Sequence, residues 1–467
     1  MRRDNILLVT YDFPPTLAGV RRVVKLAKYL PEFGLDPLVL AARPDESLPP
    51  DAATLAEVEA RGYPVCRTPS FDVYQLRRVM ARARAGWRRA LSRLDESVKP
   101  DEPAPADAAG DTPPAEPASD APARTAQAPP ARAPGPLARA AAAAFRRLSP
   151  WLLLPDDRVG WLPFARWAAW RMLRGRPVRY VLTSSYPNSA HLVGWWLKRR
   201  FKVTWIADFR DGWTQNPYFA RYPTPLHRWL DARMERRVLR EADVILAVSE
   251  PIADHLRRAG GGDRVHVVPN GYDPDDFEDL DPLEFDRFTI GYTGTLFMQR
   301  SPESFFAAVR GLLDNHPGMA DQFQVVFRTR FKPEHEQAIR DLGLEGVVRN
   351  LGMGTYREAL QLQVSADALL VLEGDAPNAE IMLTQKIFEY LAAGKPILAV
   401  TPKGALADLV RRTRAGVVVA PDNVFQIKER LWELFHGMTR FEPDTDLIRT
   451  FDRRELARRV AALLGHR

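Results

Sequence analysis

A single cysteine, Cys66, occurs in 467 residues. This excludes an intramolecular disulfide framework and a thiolate zinc cluster, and it fits a reducing compartment. No stretch approaches the roughly 18–20 consecutive apolar residues that span a bilayer. The apolar run near the start, Ile6-Leu-Leu-Val9, stops at Tyr11-Asp12. It is shorter than the core of a secretory leader and lacks a small-residue cleavage site. These absences predict a cytoplasmic protein, soluble or held on a surface. Glycine is sparse at the first strand-to-helix turn, where Gly19 stands alone, so the dinucleotide fingerprint is missing. Excess acid is lacking too: 66 Lys and Arg outnumber 59 Asp and Glu for a net charge of +7. That balance points to anionic partners such as nucleotides or membrane lipids. The basic residues lack aromatic interleaving or a recognised module, so no nucleic acid is expected.

What is present is apolar residues at 46% and a length beyond one ordinary core, which together predict two globular domains. The break in composition lies at about 100–136, where Ala, Pro, Asp and Ser crowd out large apolar residues. Such a segment cannot bury enough surface to offset chain entropy and reads as a disordered insertion. Short β-branched runs alternate with helical stretches on both sides of it. Candidate strands are Ile6–Thr10, Pro37–Ala41, Pro64–Thr68, Tyr180–Ser184, Val203–Phe209, Val244–Ser249 and Val265–Pro269, then Thr289–Gly294, Gln324–Arg328, Val347–Leu351, Ala368–Leu372, Pro396–Val400 and Gly416–Ala420. Near-continuous apolarity in these runs suits parallel strands covered on both faces. The two series predict an α/β chain of two doubly wound, Rossmann-like domains over 1–274 and 275–445. The turn-rich Pro269-Asn-Gly-Tyr-Asp-Pro274 forms the hinge, and 446–467 ends in a helix that packs back toward the first domain.

Several clusters carry candidate chemistry at predicted strand ends, where ligands gather in open α/β sheets. Gly19 precedes a helix bearing Arg21, Arg22 and Lys25. It is read either as an approach point for a phosphate or as a plain loop glycine before a solvated basic helix. Asp208, Arg210 and Asp211 end the strand Val203–Phe209. As a cleft cluster they would bind sugar hydroxyls or move protons; the other reading is a structural ion-pair turn. Ser184 and Ser185 read chiefly as caps of the following helix, and His191 is open between packing and function.

The strongest local chemistry lies in Thr384-Gln-Lys-Ile-Phe-Glu-Tyr-Leu-Ala-Ala-Gly-Lys-Pro396. Thr384 serves as N-cap and Gly394 with Pro396 ends the helix. Lys386 in the first turn is disfavoured by the helix dipole unless an anion joins it. Glu389, three residues on, shares its face. A diphosphate on Lys386 would place a ribose within reach of Glu389; an i,i+3 surface ion pair is the competing reading. Gly294, Arg300 and Arg328 add a turn glycine and basic groups at neighbouring strand ends, as an anionic donor requires. Two basic amphipathic stretches, Tyr74–Leu94 and Phe145–Leu154, fit either an anionic membrane surface or outer helices on the first sheet.

Ala242-Asp-Val-Ile-Leu-Ala-Val-Ser-Glu250, Val268-Pro-Asn-Gly-Tyr-Asp273 and Phe388-Glu-Tyr-Leu-Ala-Ala-Gly-Lys-Pro-Ile397 together resemble the retaining GT-B glycosyltransferases of bacterial polysaccharide and glycolipid synthesis, the family 4-like group. Asp12-Phe-Pro-Pro15 with Gly19, and Asp208-Phe-Arg-Asp211, resemble one subgroup. The resemblance implies a nucleoside-diphosphate sugar on the second domain, with Lys386 and Arg300 at the diphosphate, Glu389 at the ribose and Gly19 against the phosphates. It implies a hexosyl transfer with retention to a saccharide or lipid-linked acceptor approaching near Asp208 and Asp211. It implies no cofactor and no metal, in keeping with the lack of an Asp-x-Asp pair at a strand end. The family's first glutamate is replaced by Ile381, with Glu380 one residue out of register. Two other classes share the expected architecture: a nucleotide-sugar 2-epimerase, and a binding scaffold descended from a transferase.

Overall fold

The computed structural model describes residues 3–16, 20–44, 51–71, 151, 153–216, 224–296, 300–375 and 378–466. Gly19, the insertion at about 100–136, Tyr74–Leu94 and all of Phe145–Leu154 except residues 151, 153 and 154 lie outside them. Two wholly parallel sheets organise the chain. The first contains β1 (Asp4–Val9), β2 (Leu35–Ala42), β3 (Val65–Thr68), β4 (Val178–Ser185), β5 (Thr204–Phe209), β6 (Val244–Ala247) and β7 (Val265–Val267) in the order β3-β2-β1-β4-β5-β6-β7. The second contains β8 (Phe288–Thr293), β9 (Phe323–Arg328), β10 (Val348–Asn350), β11 (Ala368–Leu372), β12 (Ile397–Val400) and β13 (Gly416–Val419) in the order β10-β9-β8-β11-β12-β13. Each predicted strand is present, displaced by a residue or two at its ends.

The alternation along β1 shows why these runs are strands buried on both faces. Leu7 and Val9 enter one apolar cluster with Leu38, Val181 and Ala207, whereas Ile6 and Leu8 enter another with Val39, Leu182 and Ile206. Both faces exclude water from Ile6 onward, so each position from Ile6 to Val9 is apolar. Each such side chain contributes about 1.5–3 kcal/mol of transfer free energy. The helices of the first domain are α1 (Arg21–Tyr29), α2 (Ala52–Arg61), α3 (Leu162–Gly175), α4 (Ser189–Phe201), α5 (Pro225–Glu241) and α6 (Glu250–Leu256). Those of the second are α7 (Glu303–Asn315), α8 (Pro333–Asp341), α9 (Tyr356–Ser365), α10 (Lys386–Ala393), α11 (Ala405–Arg412) and α12 (Val424–Phe435). No helix of the described residues is long and apolar enough to cross a membrane.

Two short helices close the chain, α13 (Thr445–Arg449) and α14 (Arg453–Leu463). Leu456, Ala457, Val460 and Ala461 of α14 lie in the same cluster as Ile6 and Leu8, while Leu464 stays half-buried. The two crossings between domains run side by side: Tyr272 N–H donates to Phe451 O at 3.1 Å and Arg453 N–H to Tyr272 O at 2.9 Å.

The C-terminal ends of the strands form one edge of each sheet, and the loops there meet across a cleft. Asn378 Nδ2 donates to Gln215 O at 3.0 Å and Ser249 Oγ to Ile381 O at 3.3 Å. The linker is fastened to α1 by a buried network. Lys25 Nζ lies 2.7 Å from Asp273 and 2.6 Å from Asp276, Lys28 lies 2.7 Å from Asp273, and Tyr29 Oη donates to Asp273 Oδ1 at 2.6 Å. These cations hold the Asp273 carboxyl at about 2 against the opposing effect of burial. The hinge read at Pro269–Pro274 is thus clamped at its end to the first domain.

Candidate functional site at the strand ends

The second-domain side is built around the end of β8. Gly294 follows it with φ +108°, and a β-carbon there would stand 2.8 Å from Lys386 Nζ. Glycine meets both demands, a positive φ and room for the lysine. Lys386 is the first residue of α10, and its side chain turns back over β8. Nζ donates to Tyr292 Oη at 3.1 Å and sits 4.2 Å from the ring centroid. Lys386 is 9% exposed and has no ion pair among the described residues. Burial, reinforced by the nearby Arg300 guanidinium, pushes its pKa down to about 7. A buried ammonium beside a second cation and a helix N-terminus is a preformed place for an anion.

Arg300 is aimed by Glu373, the residue after β11: Nε lies 3.0 Å from both carboxylate oxygens and Nη2 2.8 Å from Oε2. Beside this pair opens a cavity of about 230 Å3 lined by Ser301, Ser304, Glu373, Asp375 and Asp422. Its lining is rich in hydrogen-bond acceptors.

One turn along α10, Glu389 is 6% exposed. Burial holds its carboxyl above the usual carboxylate range, against the pull of Arg21 and hydrogen bonds from Gln363 and Gln385. Gln363 Nε2 donates to Thr293 Oγ1 at 3.0 Å, and its Oε1 is buried with no hydrogen-bond partner among the described residues. Arg21 reaches over from α1 and stacks 3.0 Å above the Tyr356 ring, closing this corner of the cleft. Arg453 Nη2 donates to Gln385 Oε1 at 2.8 Å. Lys386 and Glu389 are therefore brought to one side of α10 as their spacing predicts, but they do not pair with each other.

Two readings require correction. Thr384 is not the N-cap: Gln385 holds that position without a side-chain cap, because its amide is drawn to Gly271 and Arg453. Arg328 does not turn toward Lys386. Its backbone carbonyl receives Gly294 N–H at 3.2 Å, and its guanidinium pairs with Glu358 at 3.5 Å. Ile381, in the place of the family's first glutamate, is 5% exposed and packs in the apolar cluster of the first sheet, and Glu380 is exposed. The register departure has thus converted a carboxylate position into an apolar contact between domains.

On the first-domain side Asp208, Arg210 and Asp211 diverge. Asp208 does not face the cleft. It is 0% exposed and takes Arg22 through Nε at 3.0–3.1 Å and Nη2 at 2.7 Å, with Ser184 Oγ at 2.7 Å. Arg22 also donates to Pro269 O at 2.7 Å and Val268 O at 2.9 Å. Arg22 and Ser184 hold the Asp208 carboxyl below its ordinary value in spite of burial. Ser184 serves this pair instead of capping α4. Asp156 supplies the cap from afar, accepting Ser189 N–H at 2.6 Å, and burial pushes its carboxyl up to about 6. Arg210 donates to Ser185 O, and to Tyr186 O at 2.9 Å. Asp211 is half-buried with its pKa raised by burial. Its neighbour Gly212 sits close to Ile381 of the second domain, so Asp211 stands on the cleft rim. His191 is fully buried, with Nδ1 2.8 Å from Thr183 Oγ1 and a pKa lowered to about 3 by burial. Neutral, and with its ring tilted against Phe209 at 4.5 Å, it is packing.

Sequence reasoning missed Glu373, Gln363, Tyr356 and Arg453, and it named Arg22 without its pairing to Asp208. Glu373 had a signal, because it directly follows a strand. The others sit inside helices with nothing local to mark them.

With this geometry in place, the profile for the Glycosyl transferase 4-like domain matches residues 104–271. No curated protein matches the chain in sequence. Among solved structures, the chain is similar to sucrose-phosphate synthase from Thermosynechococcus elongatus (TM-score 0.62, 15% identity, covering 99% of this chain and 98% of that one). It is also similar to a glycosyltransferase from Rickettsia africae ESF-5 (0.61, 12%, 99% and 98%). A third likeness is UDP-GlcNAc 2-epimerase from Methanocaldococcus jannaschii (0.50, 10%, 99% of both). At these identities the likeness establishes the fold: two parallel-sheet domains in the GT-B arrangement.

Proposed function

We propose that this GT-B chain is a glycosyltransferase, moving a hexosyl group from a nucleoside-diphosphate sugar to a saccharide or lipid-linked acceptor, with retention, in cell-envelope polysaccharide or glycolipid synthesis at the cytoplasmic face of the membrane. The observation that carries the reading is the convergence of Lys386, Arg300, Gly294 and the α10 N-terminus, with Glu389 one turn away. The diphosphate would join Lys386 and Arg300, supplying the anion that the buried lysine lacks. The ribose would bring two hydroxyl donors to Glu389 and the unpartnered Gln363 Oε1. The sugar would lie toward Glu373 and Asp375, taking over the contacts that Ile381 cannot make.

In the transfer, the bond between the anomeric carbon and the leaving oxygen breaks while negative charge builds on the diphosphate. Preorganised cations aimed at that charge lower the barrier most. With retention, the departing phosphate oxygen takes the acceptor proton, so Lys386 and Arg300 act on the same atoms that collect it. Asp211, with a raised pKa on the opposite rim, is placed to orient the acceptor hydroxyl. Asp208, committed to Arg22, positions α1 and the hinge. The fold is shared with an epimerase, so fold alone does not choose the chemistry. The family profile over the first domain favours transfer.

The test is a panel of nucleotide sugars. One of them should raise Tm and then be hydrolysed slowly or transferred when an acceptor is added. Interconversion of the donor, or binding without turnover, would replace this reading by the epimerase or the scaffold.

A pH dependence follows from Lys386. Without a nearby anion its pKa is about 7, and a bound diphosphate raises it. Nucleoside-diphosphate affinity should be flat below pH 7 and fall as pH rises above it, by up to about tenfold per unit. Calorimetry in buffers of different ionisation heat should show proton uptake on binding above pH 7. Affinity independent of pH would place the diphosphate elsewhere.

A further inference from the structure

We infer that the outer surface of α3, α4 and α5 is a docking face for an anionic lipid bilayer, a property separate from the donor site. The three helices form one layer on the first sheet, tied by Arg166 Nη2 to Leu192 O at 3.4 Å and by Arg237 of α5 stacking 4.4 Å over Trp195 of α4. Together they carry eleven Lys and Arg against three acids. Two of the acids, Asp231 and Glu235, are buried and turned inward to Trp213 and Thr214. The third, Glu241, is engaged by Arg199 at 3.3 Å and Arg237 at 3.4 Å. The solvent face is thus almost purely cationic.

The same face exposes large apolar side chains, which a merely solvated basic surface does not need. Trp167 is 59% exposed and Trp229 52%. Each lies under an arginine: Arg171 is 4.9 Å from the Trp167 ring and Arg233 5.6 Å from Trp229. An indole with a guanidinium over it offers an apolar body for the acyl boundary and a charge for the phosphate beside it. Exposed Leu226 in the first turn of α5 extends this pattern toward the cleft edge. Charge complementarity selects an anionic partner, and the aliphatic and indole surface selects lipid over a polymer of phosphates. Single-stranded nucleic acid would instead require aromatic platforms inside a groove. Docked this way, the acceptor side of the cleft would open close to the bilayer surface.

The test is co-sedimentation of the full chain with vesicles of mixed phosphatidylcholine and phosphatidylglycerol, against phosphatidylcholine alone, at low and high salt. Binding to the anionic vesicles alone, weakened by salt, is expected. Trp167→Ala with Trp229→Ala should cut partitioning about tenfold. Arg171→Glu with Arg233→Glu should cut it at least about tenfold, with Tm and its nucleotide-sugar shift unchanged in both variants. Failure of the parent to bind, undiminished binding by both variants, or a preference for duplex DNA over the vesicles would overturn the assignment. The nucleotide-induced Tm shift, measured on the same samples, keeps the donor-site reading separate.

Discussion

A Lys386→Met variant is expected to lose nucleotide-sugar turnover and yet melt higher than the parent. The loss follows from the geometry: among the described residues, Nζ is the one charge at Gly294 and the α10 N-terminus that can join a diphosphate without first leaving a carboxylate. Removing a preorganised cation from a site of developing charge costs about 100- to 1000-fold in kcat. The gain in Tm follows from burial. A lysine whose pKa falls from 10.5 to about 7 is more easily protonated in the unfolded chain than in the folded one. The resulting penalty is full below pH 7 and shrinks as pH rises toward 10.5. Methionine fills the same space without the ammonium, and Tm should rise by about 2–4 °C at neutral pH. The difference should narrow by about pH 10. A drop in Tm, or full retention of turnover, would contradict the site.

The second large effect concerns Asp208 and Arg22. Each alone leaves an uncompensated charge inside the first domain, which costs about 3–5 kcal/mol for a buried pair, on the order of 10 °C in Tm. Asp208→Asn and Arg22→Met should each show it. The double variant Arg22→Met with Asp208→Leu should recover part of the loss, because no charge then remains unpaired. Nucleotide affinity of the folded single variants should change little. A catalytic Asp208 would give the opposite result, with normal melting and abolished turnover.

The strands were legible because both sheets are covered on both faces, so Ile6-Leu-Leu-Val9 and Val244-Ile-Leu-Ala247 carry an unbroken apolar signal. The proposed donor side was suggested by Lys386, which contradicts the helix dipole, and a local contradiction of that kind points to a candidate site. Asp208 was misread for a reason of parity. In β5 it shares the face of Ile206, which points into the cluster under α1, whereas Ala207 and Phe209 point to the other layer. A strand end locates a residue along the sheet but not above or below it. Thr384 was misread because Gln385, drawn to Gly271 and Arg453, competes through groups that are distant in sequence. The pairing of Arg22 with Asp208 and the reach of Arg453 to Gln385 were invisible for the same reason.

The seam at Tyr272 and Phe451 bears on the order in which the molecule is made. Residues 453–463 complete the layer over Ile6 and Leu8, so the portion that emerges first from the ribosome is the last to be finished. Until the tail arrives, the nascent chain holds that face of the sheet covered by α1 and α2 but not by α14, while the later half matures beside it.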